Sequence, residues 1–306
     1  MYSSGVRGVG ITAGQPASDL SDLPAILDRV ERLEVDTVEL STCAMDLIFG
    51  GRIHRPHLDL LKRACAGRPF GYSVHGPLAI NFFDEPTRLQ RHFDVLRASL
   101  EIAAELGAVH YVMHSGVMPL APAEVVEAAY LRQREWLRKA GDAARDGGIL
   151  LCVETMFDYH PGRLYASLPS RLASEMAAID HDHVWATLDF SHAFLRLGSI
   201  GGDYLEEIAA LAPLAKHLHM HDSFGRPDAF ETVFPSEKFA FGHGDIHLPV
   251  GWGGIPWEAL MERCTFPEGV LLNIELNPRL WYAVDDAMAA TRALAGKVRT
   301  APRKQT

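Results

Sequence analysis

The chain has 306 residues, a formal net charge of −10, 48% hydrophobic residues and 22% charged residues. These values are typical of a globular enzyme, built as one large α/β barrel or as two ordinary domains. The acidic balance argues against a broad basic surface for nucleic acid. The sequence has no leader-like start and no apolar run near the roughly 18 residues of a membrane helix. We therefore expect a cytoplasmic protein with no membrane partner, whose four scattered cysteines are free thiols.

Strand patterns and helix patterns alternate along the chain. Short apolar runs are each followed by apolar residues at helical spacing, as at Leu23, Leu27 and Val30. Gly107 stands just past the third predicted helix, where a left-handed residue is expected. The predicted strands are 7–12, 36–40, 70–75, 109–114, 149–154, 184–189, 216–221 and 269–275. Predicted helices include 56–66, 86–106, 122–146, 168–179, 202–212 and 283–295.

Eight such strand–helix units without a linker-like break predict a single (β/α)8 TIM barrel, one domain over residues 1–306. A doubly wound sheet is the alternative, although it would seldom need eight regular repeats. The barrel itself is expected over about 7–296, followed by a frayed polar tail at 299–306. The longest irregular stretch, 222–255, follows the seventh strand, and loops of that length are usually functional.

The stretch 217–222 alternates histidines with apolar residues and ends in an aspartate. Side chains two positions apart share one face of a strand, so His217, His219 and His221 should project together. A lone histidine in a core is usually structural, whereas three in register favour a metal site. Imidazole suits zinc, iron, copper or nickel, and nearby carboxylates also admit manganese or magnesium.

Other ligand-type residues fall at the carboxyl ends of the predicted strands, where active sites lie in barrels of this kind. Any one of them could be a surface residue, but buried carboxylates on successive strand ends need partners or metals. Glu39 is expected either to support a ligand or to be a structural acid. The other histidines, including His110 and His183, lack such a position and are expected at the surface. The strand-end and loop candidates are His75, His114, Glu154, Asp189, His192, His219, Asp245, His247 and Glu275.

As an ordered set, these strand ends resemble one superfamily. The motifs are SVHGP, YVMHSG, LCVETM, LDFSHA, HLHMHDS, GDIHLPVGWG and NIELNP, and together they span nearly the whole chain. They are similar to those of xylose isomerase-like TIM barrels. This superfamily includes sugar and sugar-phosphate isomerases and epimerases, and apurinic nucleases of the endonuclease IV type. The resemblance implies the barrel fold and a divalent metal at its mouth.

The two branches imply different metal numbers. In the epimerase branch one ion is held at positions matching Glu154, Asp189, His219 and Glu275. The resemblance further implies that Glu154 and Glu275 face each other across the substrate and exchange a carbon-bound proton, as the catalytic pair. The nuclease branch adds ligands for a three-metal cluster, which match His75, His114, His192, Asp245 and His247.

All nine positions are filled, which predicts two or three divalent ions per chain with Glu154 bridging. Zinc is favoured by the number of imidazoles, and manganese or iron stay open. Two further residues are predicted to bind substrate. Arg226 can clamp a carboxylate or phosphate, or it is a solvated loop charge. Trp252 can wall a sugar face, although most such aromatics belong to the core.

The leading interpretation is a metal-dependent isomerase or epimerase of a small sugar, sugar phosphate or related polyhydroxy ketone, acting through an enediolate. A dehydratase using the same enolising site is one alternative, and an endonuclease IV-like phosphodiesterase is another. DNA recognition is disfavoured because Gly76 and Pro77 stand where the nuclease branch has a tyrosine–leucine wedge, and because 43–52 lacks its basic pattern. We expect a small-molecule substrate rather than nucleic acid, and a homo-oligomer stays open.

Overall fold

A computed structural model of the chain describes residues 2–158, 162–166, 168–227 and 231–302. Within them eight parallel strands close into a barrel, so the predicted (β/α)8 fold is confirmed. Each strand pairs with the next along the chain, and the first pairs with the last. The strands are β1 (Val6–Thr12), β2 (Thr37–Ser41), β3 (Gly71–His75), β4 (His110–His114), β5 (Leu150–Glu154), β6 (Val184–Asp189), β7 (Ala215–Met220) and β8 (Val270–Ile274).

The barrel strands are buried on both faces. All six residues of β6 and all five of β8 are buried. Side chains fill the inside of such a barrel while helices cover its outside, so its strands read as apolar runs rather than as alternating patterns. Inward positions near the carboxyl ends are the exception, because there the sequence places histidines and carboxylates.

Helices connect the strands and pack on the outside of the barrel. Helix α1 buries Leu23, Ile26, Leu27 and Val30 on one face, and each fully buried aliphatic side chain contributes about 1.5–3 kcal/mol. No helix in the described ranges is both long enough and apolar enough for a membrane span. The α-helices of these ranges are α1 (Leu23–Glu31), α2 (Arg55–Cys65), α3 (Leu89–Glu105), α4 (Ala123–Asp146), α5 (Pro169–Ile179), α6 (Phe190–Ile200), α7 (Tyr204–Leu211), α8 (Pro235–Phe241), α9 (Trp257–Arg263) and α10 (Val284–Ala295).

Two glycines meet local requirements of the chain. Gly107 adopts φ +67° just after α3, which confirms the predicted left-handed position. Gly76 follows β3, and a Cβ atom there would overlap the hydroxyl of Tyr111 on β4. The close approach of this loop to β4, which orients the end of β3, therefore requires glycine.

Three local predictions need correction. Helix α6 follows β6 directly and was not expected there; it forms because the Asp189 carboxylate caps its first turn. The stretch 222–255 is not wholly irregular, because it contains α8, where Glu237 accepts hydrogen bonds from preceding backbone N–H groups. The tail is not frayed from 299 onward, because Thr300–Ala301 pairs with Phe266–Pro267. Residues 303–306 lie outside the described residues.

Candidate metal centre

Strand register brings the ligand-type residues to one mouth of the barrel. His114 on β4 is opposite Glu154 on β5, and Asp189 on β6 is opposite His219 on β7. Because parallel strands end at the same rim, these four side chains share one level of the barrel interior. We call the nine predicted ligands, together with His221, the mouth cluster.

Glu154 is the centre of the mouth cluster and is 1% exposed. Its Oε2 lies 3.2 Å from His75 Nε2 and 3.6 Å from His114 Nε2. Its Oε1 lies 3.0 Å from His219 Nδ1 and 3.4 Å from His192 Nδ1. Each carboxylate oxygen therefore faces its own pair of imidazoles, an arrangement that suits a bridging ligand.

Asp189 belongs to both β6 and the start of α6. Its Oδ1 accepts a hydrogen bond from the His192 backbone N–H at 2.8 Å, which caps the helix. Its Oδ2 lies 2.9 Å from His221 Nε2 and 3.7 Å from His219 Nδ1. The helix cap therefore fixes the carboxylate so that its second oxygen is directed at the imidazoles of the β7 strand and its end.

Glu275 follows β8 directly. Its Oε2 lies 3.4 Å from His219 Nδ1, 3.8 Å from His221 Nε2 and 3.8 Å from His247 Nδ1. Glu154 lies against the same nitrogen of His219, so the two predicted catalytic carboxylates both border His219 Nδ1. The four positions of the expected mononuclear site are thus brought together.

The loop after β7 supplies Asp245 and His247. Asp245 Oδ2 lies 2.8 Å from His247 Nε2 and 3.3 Å from His192 Nε2. The backbone of His247 adopts φ +46°, a left-handed conformation that is uncommon outside glycine and costs energy. Its ring stacks on that of His221 at a centroid distance of 4.0 Å. These contacts hold a strained residue against the mouth cluster.

Asp222 fastens this loop to the barrel. Its buried carboxylate accepts hydrogen bonds from the backbone N–H groups of Gly251 at 2.9 Å and Ile255 at 3.2 Å. The indole N–H of Trp257 on α9 donates to the same carboxylate at 2.9 Å. Three donors from separate positions converge on this one side chain, so the loop and the start of α9 are tied to the end of β7.

A second polar group lies one layer deeper in the barrel, and we call it the interior cluster: Glu39, His217 and His110 with Thr12, Ser73 and Asn273. His217 Nε2 lies 3.1 Å from Glu39 Oε2, and the Nδ1 atoms of His110 and His217 lie 3.2 Å apart. Glu39 also accepts hydrogen bonds from Thr12 at 3.1 Å, Asn273 at 3.2 Å and Ser73 at 3.4 Å. His110 is 1% exposed, so its expected surface position is wrong.

Charge distribution in the mouth cluster favours a cation. Burial lowers the pKa of His75, but the Glu154 carboxylate outweighs it and raises that pKa to about 9. Burial likewise opposes ionisation of His247, whose pKa Asp245 raises to about 9. Burial would raise the pKa of Glu154, yet the surrounding imidazoles, His219 foremost, hold it well below its usual range. The Glu154 carboxylate is therefore anionic and attracts positive charge, whether from protons or from metal ions.

The imidazole orientations fit metal binding. His75 Nδ1 donates to the Gly76 carbonyl at 3.1 Å, and His192 Nδ1 donates to the Thr155 carbonyl at 2.9 Å. A backbone carbonyl on one ring nitrogen is the usual support of a metal-ligating histidine, and it turns the other nitrogen toward the carboxylates. Among the described residues, four groups of three side chains place possible metal-ligand atoms within 4.8 Å of one another. They are His75–His114–Glu154, Glu154–Asp189–His219, His221–His247–Glu275 and Glu39–His217–His219.

A cavity of about 790 Å³ opens onto the mouth cluster. Its lining includes Glu154, Asp245 and Glu275, and its volume suits a small-molecule ligand. Arg226 and Trp252 are not among the described residues that line it. The Arg226 guanidinium donates to the Phe241 carbonyl at 2.9 Å, and Trp252 is 43% exposed. Their role in substrate binding stays a prediction.

The sequence of residues 27–287 matches the xylose isomerase-like TIM barrel family. The chain belongs to this family. The resemblance drawn from the strand-end motifs is therefore confirmed. No curated protein matches the sequence.

Several solved structures share the fold. A D-tagatose 3-epimerase-like protein has a TM-score of 0.67 at 20% identity, covering 95% of this chain and 96% of its own. A D-psicose 3-epimerase solved in the presence of D-fructose has a TM-score of 0.66 at 15% identity, with coverages of 94% and 99%. The IOLI protein with a bound zinc atom has a TM-score of 0.63 at 15% identity, with coverages of 94% and 96%. At these identities the likeness concerns the fold of the xylose isomerase-like barrel.

Two buried residues of the site are absent from the ligand set expected for this barrel. His221 contacts Asp189 at 2.9 Å, and the alternation of histidines along 217–221 signals its position. His217 lies one layer deeper against Glu39, and the same alternation places it on that face. Neither has a counterpart in the ligand set that the resemblance implies, which takes only His219 from this strand.

Proposed function

We propose that the chain is a divalent-metal-dependent isomerase or epimerase of a small sugar, sugar phosphate or related polyhydroxy ketone. The observation that carries this proposal is the pair Glu154 and Glu275, which lie at the ends of β5 and β8. Both line the same cavity, and both lie within 3.4 Å of His219 Nδ1. Two carboxylates around one cavity can remove a proton from carbon and return it at another position or face.

In this proposal Glu154, Asp189, His219 and Glu275 hold one ion. The separate imidazole pairs on the two Glu154 oxygens support a second, with His75 and His114 as its further ligands. His192, Asp245 and His247 are candidates for a third. When bound, a divalent cation supplies the positive charge that stabilises an enediolate formed next to a carbonyl. The imidazole number favours zinc, and manganese and iron are the alternatives.

The proton is moved by this chain's own carboxylates. One of Glu154 and Glu275 accepts the proton from the carbon beside the substrate carbonyl, and the other returns one to the product. Glu154 is ionised and so has a free site for the proton, because its neighbouring imidazoles hold the pKa of its carboxyl well below the usual range. His192 either orients a substrate oxygen or is a ligand of the third ion. If the substrate carries a leaving hydroxyl at the next carbon, the same proton removal expels water, which is the dehydratase alternative.

Similar folds support a sugar substrate. The D-psicose 3-epimerase acts, by its name, on a ketose, another neighbour is named as D-tagatose 3-epimerase-like, and the IOLI protein binds zinc. A phosphodiesterase of the endonuclease IV type remains the second candidate, because all nine ligand positions of that branch are filled. The described cavity lining argues against it, since Arg29 is its single arginine or lysine and a nuclease needs a basic groove.

The test is solvent exchange. Protein purified without chelator is first analysed for bound metals and then incubated in D₂O with a panel of keto-sugars and their phosphates. We expect NMR to show metal-dependent deuterium incorporation beside the carbonyl, absent in Glu154→Gln and Glu275→Gln. Abasic duplex DNA at physiological salt should stay intact. Metal-dependent incision that disappears in Glu154→Gln would favour the phosphodiesterase instead.

A further inference from the structure

His219 is the residue that joins the mouth cluster to the interior cluster. Its Nδ1 lies 3.0 Å from Glu154 Oε1. Its Nε2 lies 3.5 Å from Glu39 Oε1, close enough for a charge contact, and completes no hydrogen bond among the described residues. A neutral imidazole carries its proton on one nitrogen and a lone pair on the other. Which nitrogen faces a cation is therefore decided by what the opposite nitrogen contacts.

The surroundings of Glu39 fix its carboxylate where it can determine which nitrogen of His219 carries the proton. Thr12, Asn273 and Ser73 donate hydrogen bonds to its carboxylate at 3.1, 3.2 and 3.4 Å. An ionised carboxylate only accepts, so every nitrogen that approaches it is favoured with its proton on that side. The residue is 0% exposed, and water does not compete for these contacts.

A second imidazole occupies the other oxygen of Glu39. His217 Nε2 lies 3.1 Å from Oε2, and His217 is backed by His110 through their Nδ1 atoms at 3.2 Å. Thr12 and Asn273 both donate to Oε1, and these two hydrogen bonds restrain rotation of the carboxylate about its last bond. Oε1 is thereby kept on the side of His219.

We infer that Glu39 is a positioning residue for metal binding: its carboxylate faces Nε2 of His219, favours the tautomer with the proton on that nitrogen, and so directs the lone pair of Nδ1 into the mouth cluster. This inference rests on the proposed function, because it gives His219 a cation to bind. It assigns Glu39 no direct contact with ion or substrate. The carboxylate–histidine–metal arrangement it describes orients the ring and raises the basicity of the ligating nitrogen.

The test is Glu39→Gln, which keeps the size of the side chain but replaces one acceptor oxygen with an NH₂ donor. We expect its affinity for Zn²⁺, measured by competition with a chromophoric chelator, to fall by about 10–100-fold. The absorption spectrum of the Co²⁺-loaded protein should shift, while elemental analysis should give the same number of ions at saturation. The matched control is Thr187→Val, which alters another fully buried interior side chain, one without a hydrogen-bond partner for its hydroxyl among the described residues. It should leave both measurements unchanged.

The outcomes separate this inference from the proposed function. If wild-type protein binds no divalent ion, the proposed function fails. If wild type binds the ion and Glu39→Gln binds it equally well with an unchanged Co²⁺ spectrum, only the positioning role fails. Loss of a whole metal equivalent in Glu39→Gln would make Glu39 a ligand and overturn the inference in another way.

A measurement on wild type covers the case in which Glu39→Gln does not fold. Long-range ¹H–¹⁵N spectra of zinc-loaded protein with labelled histidine report which nitrogen of each ring carries a proton. We expect protonated Nε2 and ligated Nδ1 for His219, assigned by the signal lost in His219→Gln. Ligation through Nε2 would overturn the inference.

Discussion

The mouth cluster and the interior cluster both pair carboxylates with imidazoles, one layer apart in one barrel, yet their carboxylates are supported differently. Glu39 in the interior faces His217 and His219 and also accepts hydrogen bonds from the neutral side chains of Thr12, Ser73 and Asn273. The described contacts of the Glu154 carboxylate are with imidazoles, and Glu154 also lines the cavity. Three neutral donors share the charge of Glu39 with its two imidazoles, whereas the described contacts of Glu154 are imidazoles alone beside a cavity, so Glu154 is the carboxylate that can exchange protons or cations.

The histidines of the two clusters also differ in their pKa values. Burial lowers the pKa of His110 well below its usual range, and it lowers the pKa of His217 despite the nearby Glu39. At the mouth, carboxylates outweigh burial and raise the pKa values of His75 and His247 to about 9. His114 is an exception at the mouth, because burial lowers its pKa to about 4. The comparison predicts that substitutions in the mouth cluster alter proton transfer and metal number. Substitutions in the interior cluster should alter the stability of the fold or the affinity for metal.

The largest effect is expected for Glu154→Gln and Glu275→Gln. Each removes a proton acceptor and a ligand charge, so deuterium exchange into the substrate should fall by at least about 10²-fold and by up to ~10⁴-fold. The measurement is the initial rate of deuterium incorporation by NMR at saturating metal. Glu85→Gln is the matched control, because the side chain of Glu85 is 68% exposed, and it should keep the wild-type rate.

Thermal melting of these variants decides how a loss of activity is interpreted. We expect both to melt cooperatively, since their neighbours keep the barrel packing. Near-normal exchange rates in both variants would show that neither carboxylate moves the proton, and the proposed mechanism would be wrong.

The next effect concerns metal number. Wild type should bind at least two divalent ions per chain, and the His75→Ala, His114→Ala double variant should bind one fewer. These rings face Glu154 Oε2, while the Oε1 side keeps Asp189 and His219. Elemental analysis after desalting gives both stoichiometries, and a chelator-treated sample should melt lower and recover on adding zinc. A single equivalent in both proteins would make the two histidines substrate-binding or supporting groups.

A smaller effect, on stability rather than on chemistry, is expected for Asp222→Asn. The Asp222 carboxylate accepts three backbone N–H groups and the Trp257 indole. An amide in its place turns one acceptor into a donor facing other donors, which should cost about 1–3 kcal/mol of unfolding free energy. Urea unfolding measures this difference. An unchanged free energy of unfolding would mean that Asp222 does not anchor the loop.

Much of the barrel and part of the site can be predicted from the sequence. The predicted bounds of β6, 184–189, agree with the structure, because a short apolar run between two helical patterns is typical of a buried strand. The nine ligand-type residues can be placed at one mouth because parallel strands share a rim. Helix α6 is harder to predict, because its N-cap, Asp189, is also the end of a strand and its capping role depends on the fold.

The interior cluster shows what sequence patterns leave out. His110 reads as an unremarkable residue at the start of a strand, since the His217 ring it contacts is 107 positions away. Glu39 can be expected as either a supporting or a structural acid, but its five polar neighbours come from β1, β3, β7 and β8. Such contacts depend on barrel closure and on stagger between strands, which local periodicity does not encode.

The smallest expected effect is a loss of stability on substituting a neutral donor of the interior cluster. Ser73→Ala removes the weakest donor to Glu39, a hydroxyl at 3.4 Å, and leaves the stronger Thr12 and Asn273 contacts in place. A typical hydrogen bond contributes about 0.5–1.5 kcal/mol net, so the unfolding free energy should fall by an amount near the lower end of that range. Metal stoichiometry and the exchange rate should stay at wild-type values, because the carboxylate keeps its charge and its contact with His219. Urea unfolding measures the free energy, a Zn²⁺ competition titration measures metal binding, and NMR measures the exchange rate, all on the same preparation. A tenfold loss of metal affinity in Ser73→Ala would show that the two clusters act as one network, in which even a neutral interior donor tunes the mouth.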